Sequence, residues 1–249
     1  MNLIIGRKPV LEAINSGEKI EQVYLLYGQR GGIINAIRIA AKKRGIKCNE
    51  IPVQKFSELT KNKNTQGVVA RKTNQKYYSL DEIISYSKNF PYPLILILDS
   101  IQDTHNVGAI LRTAECSEVN GILVTQHNSA PINETVVKTS AGATEHLKIC
   151  TVNNLSNALS ELKSNGFWII GSSLEIPSEG KPKGKAYTKV DYKIPIALVV
   201  GNEEKGIRRL TAENCDILVN IPMKGKIQSL NVSVAAGILL FEILRQRNI

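Results

Sequence analysis

The sequence predicts an α/β protein in two parts, a small basic α/β module followed by a larger domain on a mainly parallel sheet. Three observations carry this. Strand and helix signals alternate along almost the whole chain, the pattern of strands crossed over by helices. The run 94–98 is apolar without interruption, as in a strand buried on both faces. The charge is uneven: residues 1–73 hold 14 Lys and Arg against 5 Asp and Glu, whereas residues 91–249 hold 16 against 15. The formal net charge of +10 therefore sits almost wholly in the first third, and such a surface attracts a polyanion.

In chain order, Pro9 opens a short helix with Val10, Leu11 and Ile14 on one side, since proline is at home in a first turn. Residues 20–27 read as a strand, and 33–44 as a helix with Ile33, Ile34, Ile37 and Ala41 inward. A strand over 46–53, a short helix marked by Phe56 and Leu59, and a strand over 67–70 complete the module. Its basic residues fall on helix faces and loops. Each alone is ordinary solvated surface. Together Arg7, Lys8, Arg30, Arg38, Lys42 and Lys43, with Lys61, Lys63, Arg71 and Lys72, form a candidate track for a phosphate backbone. No aromatic-rich stacking sheet is visible, so the expected reading is by shape and backbone rather than by base stacking. The charge bias stops at 74–92, a stretch with a short helix over 80–86 and with Pro91, read as a linker between domains 1–73 and 93–249.

In the second domain the strand 94–98 runs into Asp99 and a polar loop, and a helix follows over 107–116 with Asn106 as its N-cap and Ile110, Leu111 and Ala114 inward. Gly108 permits a close approach, and Arg112 lies about one and a half turns on. The unit repeats as strand 121–125, helix 134–141, strand 147–152, helix 155–164 and strand 167–172. Residues 178–189, with Lys181, Lys183, Lys185 and two glycines, read as a mobile basic loop. Another apolar strand precedes Gly201, and a last apolar helix over 230–244 is capped by Ser229.

Several function classes fall away. Cys48, Cys116, Cys150 and Cys215 are dispersed, and His105, His127 and His146 do not cluster with them, which argues against a zinc site or a disulfide framework. Free thiols suit the cytoplasm. No run reaches membrane-spanning length, and the N-terminus lacks a signal-peptide pattern. Gly201-Asn-Glu-Glu-Lys-Gly206 has P-loop glycine spacing, but Ile207 and Arg208 stand where Lys and Ser or Thr are needed, and Glu203 and Glu204 repel a triphosphate. No Gly-x-Gly-x-x-Gly and no Gly-x-Ser-x-Gly occurs. What remains is a pocket of backbone groups near one carboxylate, one amide and one arginine. It suits a neutral or cationic adenosine ligand, with apolar contact from Ile221, Met223 and Leu230.

Three stretches together resemble, in order and spacing, the signature motifs of the SPOUT superfamily of RNA methyltransferases, in its TrmH-like branch of ribose 2′-O-methyltransferases. They are Asn106-Val-Gly108-Ala-Ile-Leu-Arg112, Leu198-Val-Val-Gly201-Asn-Glu203-Glu-Lys-Gly206, and Ile221-Pro-Met223 through Ser229-Leu230-Asn231-Val-Ser233. The start, Ile5-Gly6-Arg7-Lys8-Pro-Val-Leu-Glu-Ala, is similar to that of the L7Ae/L30e-like substrate-binding domain found in many such enzymes. The resemblance implies a C-terminal domain with a deep trefoil knot, a rare departure from unknotted topology. It implies S-adenosylmethionine bound in the knot by the backbone of Gly201, Ile221 and Leu230, with Met223 beside the adenine and Ser229 and Asn231 shaping the floor. It implies a homodimer with the last helix in the interface. Arg112 is the residue it assigns to activating the ribose hydroxyl; Asn106 orients Arg112 or the ribose, and Glu203 orients groups and balances charge. The guanidinium stays charged in proteins, so Arg112 is better read as stabilising the developing alkoxide or holding the adjacent phosphate than as a base. No metal is required. The implied substrate is a guanosine of 23S ribosomal RNA. Transfer RNA is the alternative within the same chemistry, and a catalytically silent RNA-binding or assembly factor is the alternative outside it. One departure from the family pattern is Thr104-His105, where Asp-Pro often precedes the motif Asn; it is expected to loosen that loop.

Overall fold

The computed structural model describes residues 3–61, 64–72, 75–173, 183–202, 205–226 and 229–247. The chain divides into two units, Met1–Asn74 and Gln75–Ile249.

The first unit runs β1 (Leu3–Ile5), α1 (Arg7–Ser16), β2 (Ile20–Leu26), α2 (Gly32–Lys43), β3 (Lys47–Ile51), α3 (Val53–Thr60) and β4 (Val68–Lys72). The sheet order is β1-β4-β2-β3. β4 is antiparallel to both its neighbours, and β2 and β3 are parallel, joined by α2 as the crossover. Val10 and Ile14 of α1 and Ile34, Ile37 and Ala41 of α2 pack on Val23, Leu25, Val68 and Ala70. Ile33, expected inward, is 37% exposed, because the stripe that reaches the sheet is the 34–37–41 row one residue round the helix.

The second unit runs α4 (Leu80–Ser87), β5 (Leu94–Asp99), α5 (Thr104–Cys116), β6 (Gly121–Thr125), α6 (Glu134–Thr139), β7 (Ile149–Val152), α7 (Leu155–Ser164), β8 (Trp168–Ser172), β9 (Lys183–Ala186), β10 (Ile196–Gly201), α8 (Arg209–Glu213), β11 (Ile217–Asn220) and α9 (Val232–Arg247). Its seven strands lie in the order β7-β6-β5-β10-β8-β11-β9, every pairing parallel. All six residues of β5 and of β10 are buried, which explains why their sequences do not alternate. Leu94, Leu96 and Leu98 face one layer with α5 and α9, whereas Ile95 and Ile97 face the opposite layer with α4 and α7.

Two expectations are corrected here. Residues 75–92 are not a spacer. Ile83 and Ile84 of α4 are buried in the second unit's core, each such side chain contributing roughly 1.5–3 kcal/mol, and Ser79 with Glu82 closes a capping box at the start of α4. The basic stretch 178–189 is not all loop. Its residues 178–182 lie outside the described residues, but Lys183–Ala186 is the edge strand β9, paired with β11 from Ile217 to Asn220. Sparse apolar content hid it, since an edge strand need bury only part of its surface.

The last helix is held at its end by Arg247, which donates to the carbonyls of Tyr92 at 2.7 Å, Tyr192 at 2.9 Å and Ile194 at 3.0 Å. Burial lowers the Arg247 guanidinium to about 10.

Candidate active site

The candidate residues gather at the carboxyl ends of β5, β10 and β11, where loops of a parallel sheet collect ligands. The loop after β5 begins at Asp99, whose carboxylate is fully buried. Such a charge needs a partner, and Arg208 supplies one: its Nε donates to Asp99 Oδ1 at 2.7 Å and its backbone N–H to Oδ2 at 3.2 Å. The loops after β5 and β10 are thus tied together. Asn202 adds to the tie by donating from Nδ2 to the Ser100 carbonyl at 3.3 Å.

The stretch with P-loop spacing is a tight loop closed on itself. Asn202 N–H donates to the Gly206 carbonyl and Gly206 N–H to the Asn202 carbonyl, both at 2.9 Å. A Cβ on Gly201 would stand 2.2 Å from the Gly206 carbonyl carbon and 2.2 Å from Ile207 N, so the chain can fold back there only over a glycine. Glu203, expected in the catalytic set, lies outside the described residues.

α5 begins earlier than expected. Asp103 Oδ1 accepts from His105 N–H at 2.7 Å, so Asp103 is the N-cap and the helix starts at Thr104. Asn106, expected as the cap, is inside the first turn and its side chain is released for another role. Asn231 Nδ2 donates to Asn106 Oδ1 at 3.0 Å, joining residues 125 apart. The same Asn231 caps α9: its Oδ1 accepts from Ser233 N–H at 2.9 Å and from Ser233 Oγ at 2.6 Å. Ser229, expected as that cap, is exposed two residues upstream. A cap sits immediately before the first helical turn, and α9 starts at Val232, not at Leu230. Arg112 is exposed, without a hydrogen bond or ion pair among the described residues. It lies beside the seam of α5 and α9, where Thr113 Cγ2 is 3.8 Å from the Cβ position of Gly237. Gly108 does permit a close approach, but the element that approaches is α6: a Cβ there would stand 2.5 Å from Thr139 Cβ.

The residues expected to hold the cofactor fit an adenosine ligand. Ile221, Met223 and Leu230 make no backbone hydrogen bond among the described residues, so their polar groups stay open for a ligand. Asn220 Oδ1, at the end of β11, is buried with no partner among the described residues, an acceptor awaiting a donor. Cys150 and Cys215 are unsuited to thiolate chemistry, because burial pushes the Cys150 thiol up to about 11 and the Cys215 thiol up to about 12.

In the first unit, Lys8, Arg30, Lys42 and Lys43 are exposed, but two predicted contacts are committed internally. Arg7 is a brace, donating from Nη2 to Gln29 Oε1 and from Nε to the Gln66 carbonyl at 3.0 Å. Arg38 is paired with Glu50. Sequence reasoning missed Asp99 with Arg208, although a carboxylate ending an otherwise apolar strand already calls for a cationic partner. It also missed Tyr27, 74% exposed at the end of β2.

Family models match both units. One, described as the SpoU rRNA Methylase family, covers residues 93–241. The other, described as RNA 2′-O ribose methyltransferase substrate binding, covers residues 3–78. YacO of Bacillus subtilis, assigned by its name to the TrmH family of tRNA/rRNA methyltransferases, is 36% identical over 98% of this chain and 96% of its own length. The AdoMet-bound rRNA methyltransferase of Sinorhizobium meliloti is 25% identical, with a TM-score of 0.62 over 98% of this chain and 86% of its own. The TrmH/SpoU tRNA modifying enzyme of A. aeolicus is 33% identical, with a TM-score of 0.57 over 68% of this chain and 82% of its own.

Proposed function

The chain belongs to the SpoU rRNA methylase family, and we propose that it transfers a methyl group from S-adenosylmethionine to a ribose 2′-hydroxyl of RNA, a guanosine of 23S ribosomal RNA. The observation that carries the site assignment is the Asn231–Asn106 hydrogen bond at 3.0 Å, which joins the first and third motifs. Ribosomal RNA is favoured over transfer RNA by coverage: the rRNA methyltransferase of S. meliloti aligns over 98% of this chain, the tRNA enzyme of A. aeolicus over 68%.

S-adenosylmethionine supplies an electrophilic methyl group on a sulfonium. The chain supplies position and charge. The backbone at Gly201 and the open backbone groups of Ile221 and Leu230, with Met223, Ser229 and Asn231, hold the adenosine. Asn106, fixed by Asn231, orients the ribose. Arg112, free of internal partners among the described residues, meets the phosphate beside the target hydroxyl and stabilises the negative charge developing on the ribose oxygen as it takes the methyl, the hydroxyl proton passing to solvent and the neutral thioether leaving as the methyl–sulfur bond breaks. Glu203 balances that charge. Lys8, Arg30, Lys42 and Lys43 hold the flanking RNA backbone, while Arg7 and Arg38 shape the surface that carries them.

A deep trefoil knot around the β10 and β11 loops and a homodimer through α9 belong to the same proposal. The dimer is supported by a stripe on α9 in which Val234 is 49% and Phe241 51% exposed, one face of a helix at seven-residue spacing. Light scattering should then give twice the chain mass.

The test is incubation with tritiated S-adenosylmethionine and unmethylated total RNA, followed by separation of 23S, 16S and transfer RNA. Label confined to 23S, in alkali-resistant dinucleotides, is expected. Label in transfer RNA overturns the substrate and keeps the chemistry. Cofactor binding with no label in any RNA overturns the catalytic assignment.

A further inference from the structure

Tyr27 is the most exposed large hydrophobic side chain among the described residues, at 74%. It stands where β2 ends, and no ring or cation packs on it among the described residues. Beside it lies a cleft of about 480 Å³, within the ~300–1,000 Å³ of small-ligand sites. Arg30 and Asn35 line the cleft with Tyr27, and Arg38 with Glu50 forms another part of the wall. The Arg38–Glu50 pair offsets the only carboxylate among the described lining residues, whose net charge is therefore that of Arg30. The backbone is open at Gly28, two residues before this arginine, and at Gly31, directly after it: no atom lies within 4 Å of a Cβ built on either. α2, which starts at the cleft, carries no acidic residue in its first turn.

We propose that this cleft takes one unpaired nucleotide of the RNA substrate, its base stacked on Tyr27 and its phosphate against Arg30. The inference rests on the reading of the chain as an RNA-modifying enzyme, in which residues 3–78 match a substrate-binding family model. The chemistry selects the occupant. An exposed tyrosine beside a cation matches a base with its phosphate, since every base has a π-face and every nucleotide a negative charge. The base must be unstacked, because in a duplex both its faces are covered by neighbours. Asn35 offers a donor and an acceptor to the base edge. The unit therefore reads a loop, bulge or end rather than a continuous helix. On this proposal base stacking at one position is added to the shape and backbone reading expected from the sequence.

The test uses the full-length protein and two RNAs of equal charge, a hairpin with 2-aminopurine in its loop and a blunt duplex. Binding is followed by anisotropy and by 2-aminopurine fluorescence, with S-adenosylmethionine affinity measured on every variant. Tyr27→Ala is expected to weaken hairpin binding about tenfold, to abolish the stacking-dependent quenching, and to leave duplex and cofactor binding unchanged. Tyr27→Trp restores both hairpin signals. Arg30→Ala weakens the hairpin more than the duplex. Hairpin binding unchanged in Tyr27→Ala, an equal loss on both RNAs, or no binding to either RNA overturns the proposal. The outcome is separable from the catalytic reading. A wild-type protein that gives the hairpin signals but never methylates RNA sinks catalysis and leaves the cleft standing, whereas methylation with an indifferent Tyr27 does the reverse.

Discussion

The two units use the same alternation of strand and helix but differ in how many of their candidate functional groups are held by internal partners. In the second, polar side chains are turned against one another: Asp99 on Arg208, Asn106 on Asn231, Asn202 on the Ser100 carbonyl. In the first, Lys8, Arg30, Lys42 and Lys43 stand in solvent. The difference follows from the task. Chemistry gains most from groups held still before the reaction, since their reorganisation is already complete. Holding a polyanion needs only many weak contacts, each of which releases a counterion. Substitutions should therefore act steeply and cooperatively in the second unit, and in graded, additive steps in the first.

Arg112→Ala tests the steep side at its extreme. Single-turnover methylation should fall by about 10²–10³-fold or more, with cofactor affinity intact, as when one oxyanion-stabilising donor is removed. A loss under about threefold removes Arg112 from the site. Next comes Arg208→Ala, which leaves the fully buried Asp99 carboxylate without its cation. Removing one partner of a buried pair costs about 3–5 kcal/mol, but the Arg208 side chain is 50% exposed, so about 2–3 kcal/mol is expected in urea unfolding. Adding Asp99→Asn should return part of that loss. A double variant no more stable than Arg208→Ala alone means that the pair is not the tie between the loops after β5 and β10.

Gly108→Ala comes third. The added methyl meets Thr139 Cβ at 2.5 Å, so α5 and α6 must separate, at about 1–3 kcal/mol. Thr139→Ala gives no relief, because the nearest atom is the Cβ itself. Full stability in Gly108→Ala shows that the two helices can slide, and so that this part of the site is less fixed than the comparison requires.

The same contrast governs what the sequence made legible. The interior of the second unit was readable because β5 and β10 are apolar throughout and the helix 155–164 falls where its capping Asn154 and its apolar row place it. The motif positions were readable as a pattern, but their geometry was not. Asn106 looks like a cap until Asp103 is seen to take that place, and Ser229 looks like a cap until Asn231 is. Asx and Ser residues near a helix start compete for one position, and only the backbone decides between them. Tyr27 was illegible for the converse reason: an aromatic at the end of a strand reads as core, and its exposure depends on where the strand stops. Charge excess marked the first unit as a whole but could not tell the bracing Arg7 from the exposed Lys8 beside it.

The graded side is tested by Lys42→Ala and Lys43→Ala at the exposed end of α2. If each lysine neutralises one phosphate, each substitution should flatten the plot of log affinity against log salt by about 0.7–0.9. The loss at physiological salt should be a few-fold at most, and the double variant should show the sum of the two single losses in free energy, since solvated charges share no rigid partner. Turnover at saturating RNA should not change. A salt slope equal to the wild type's makes these lysines plain solvated surface and moves the electrostatic contact to Arg30 and Lys8. A fall in turnover at saturating RNA would count against the comparison itself, because a surface that only holds backbone has no means of reaching the methyl-transfer step.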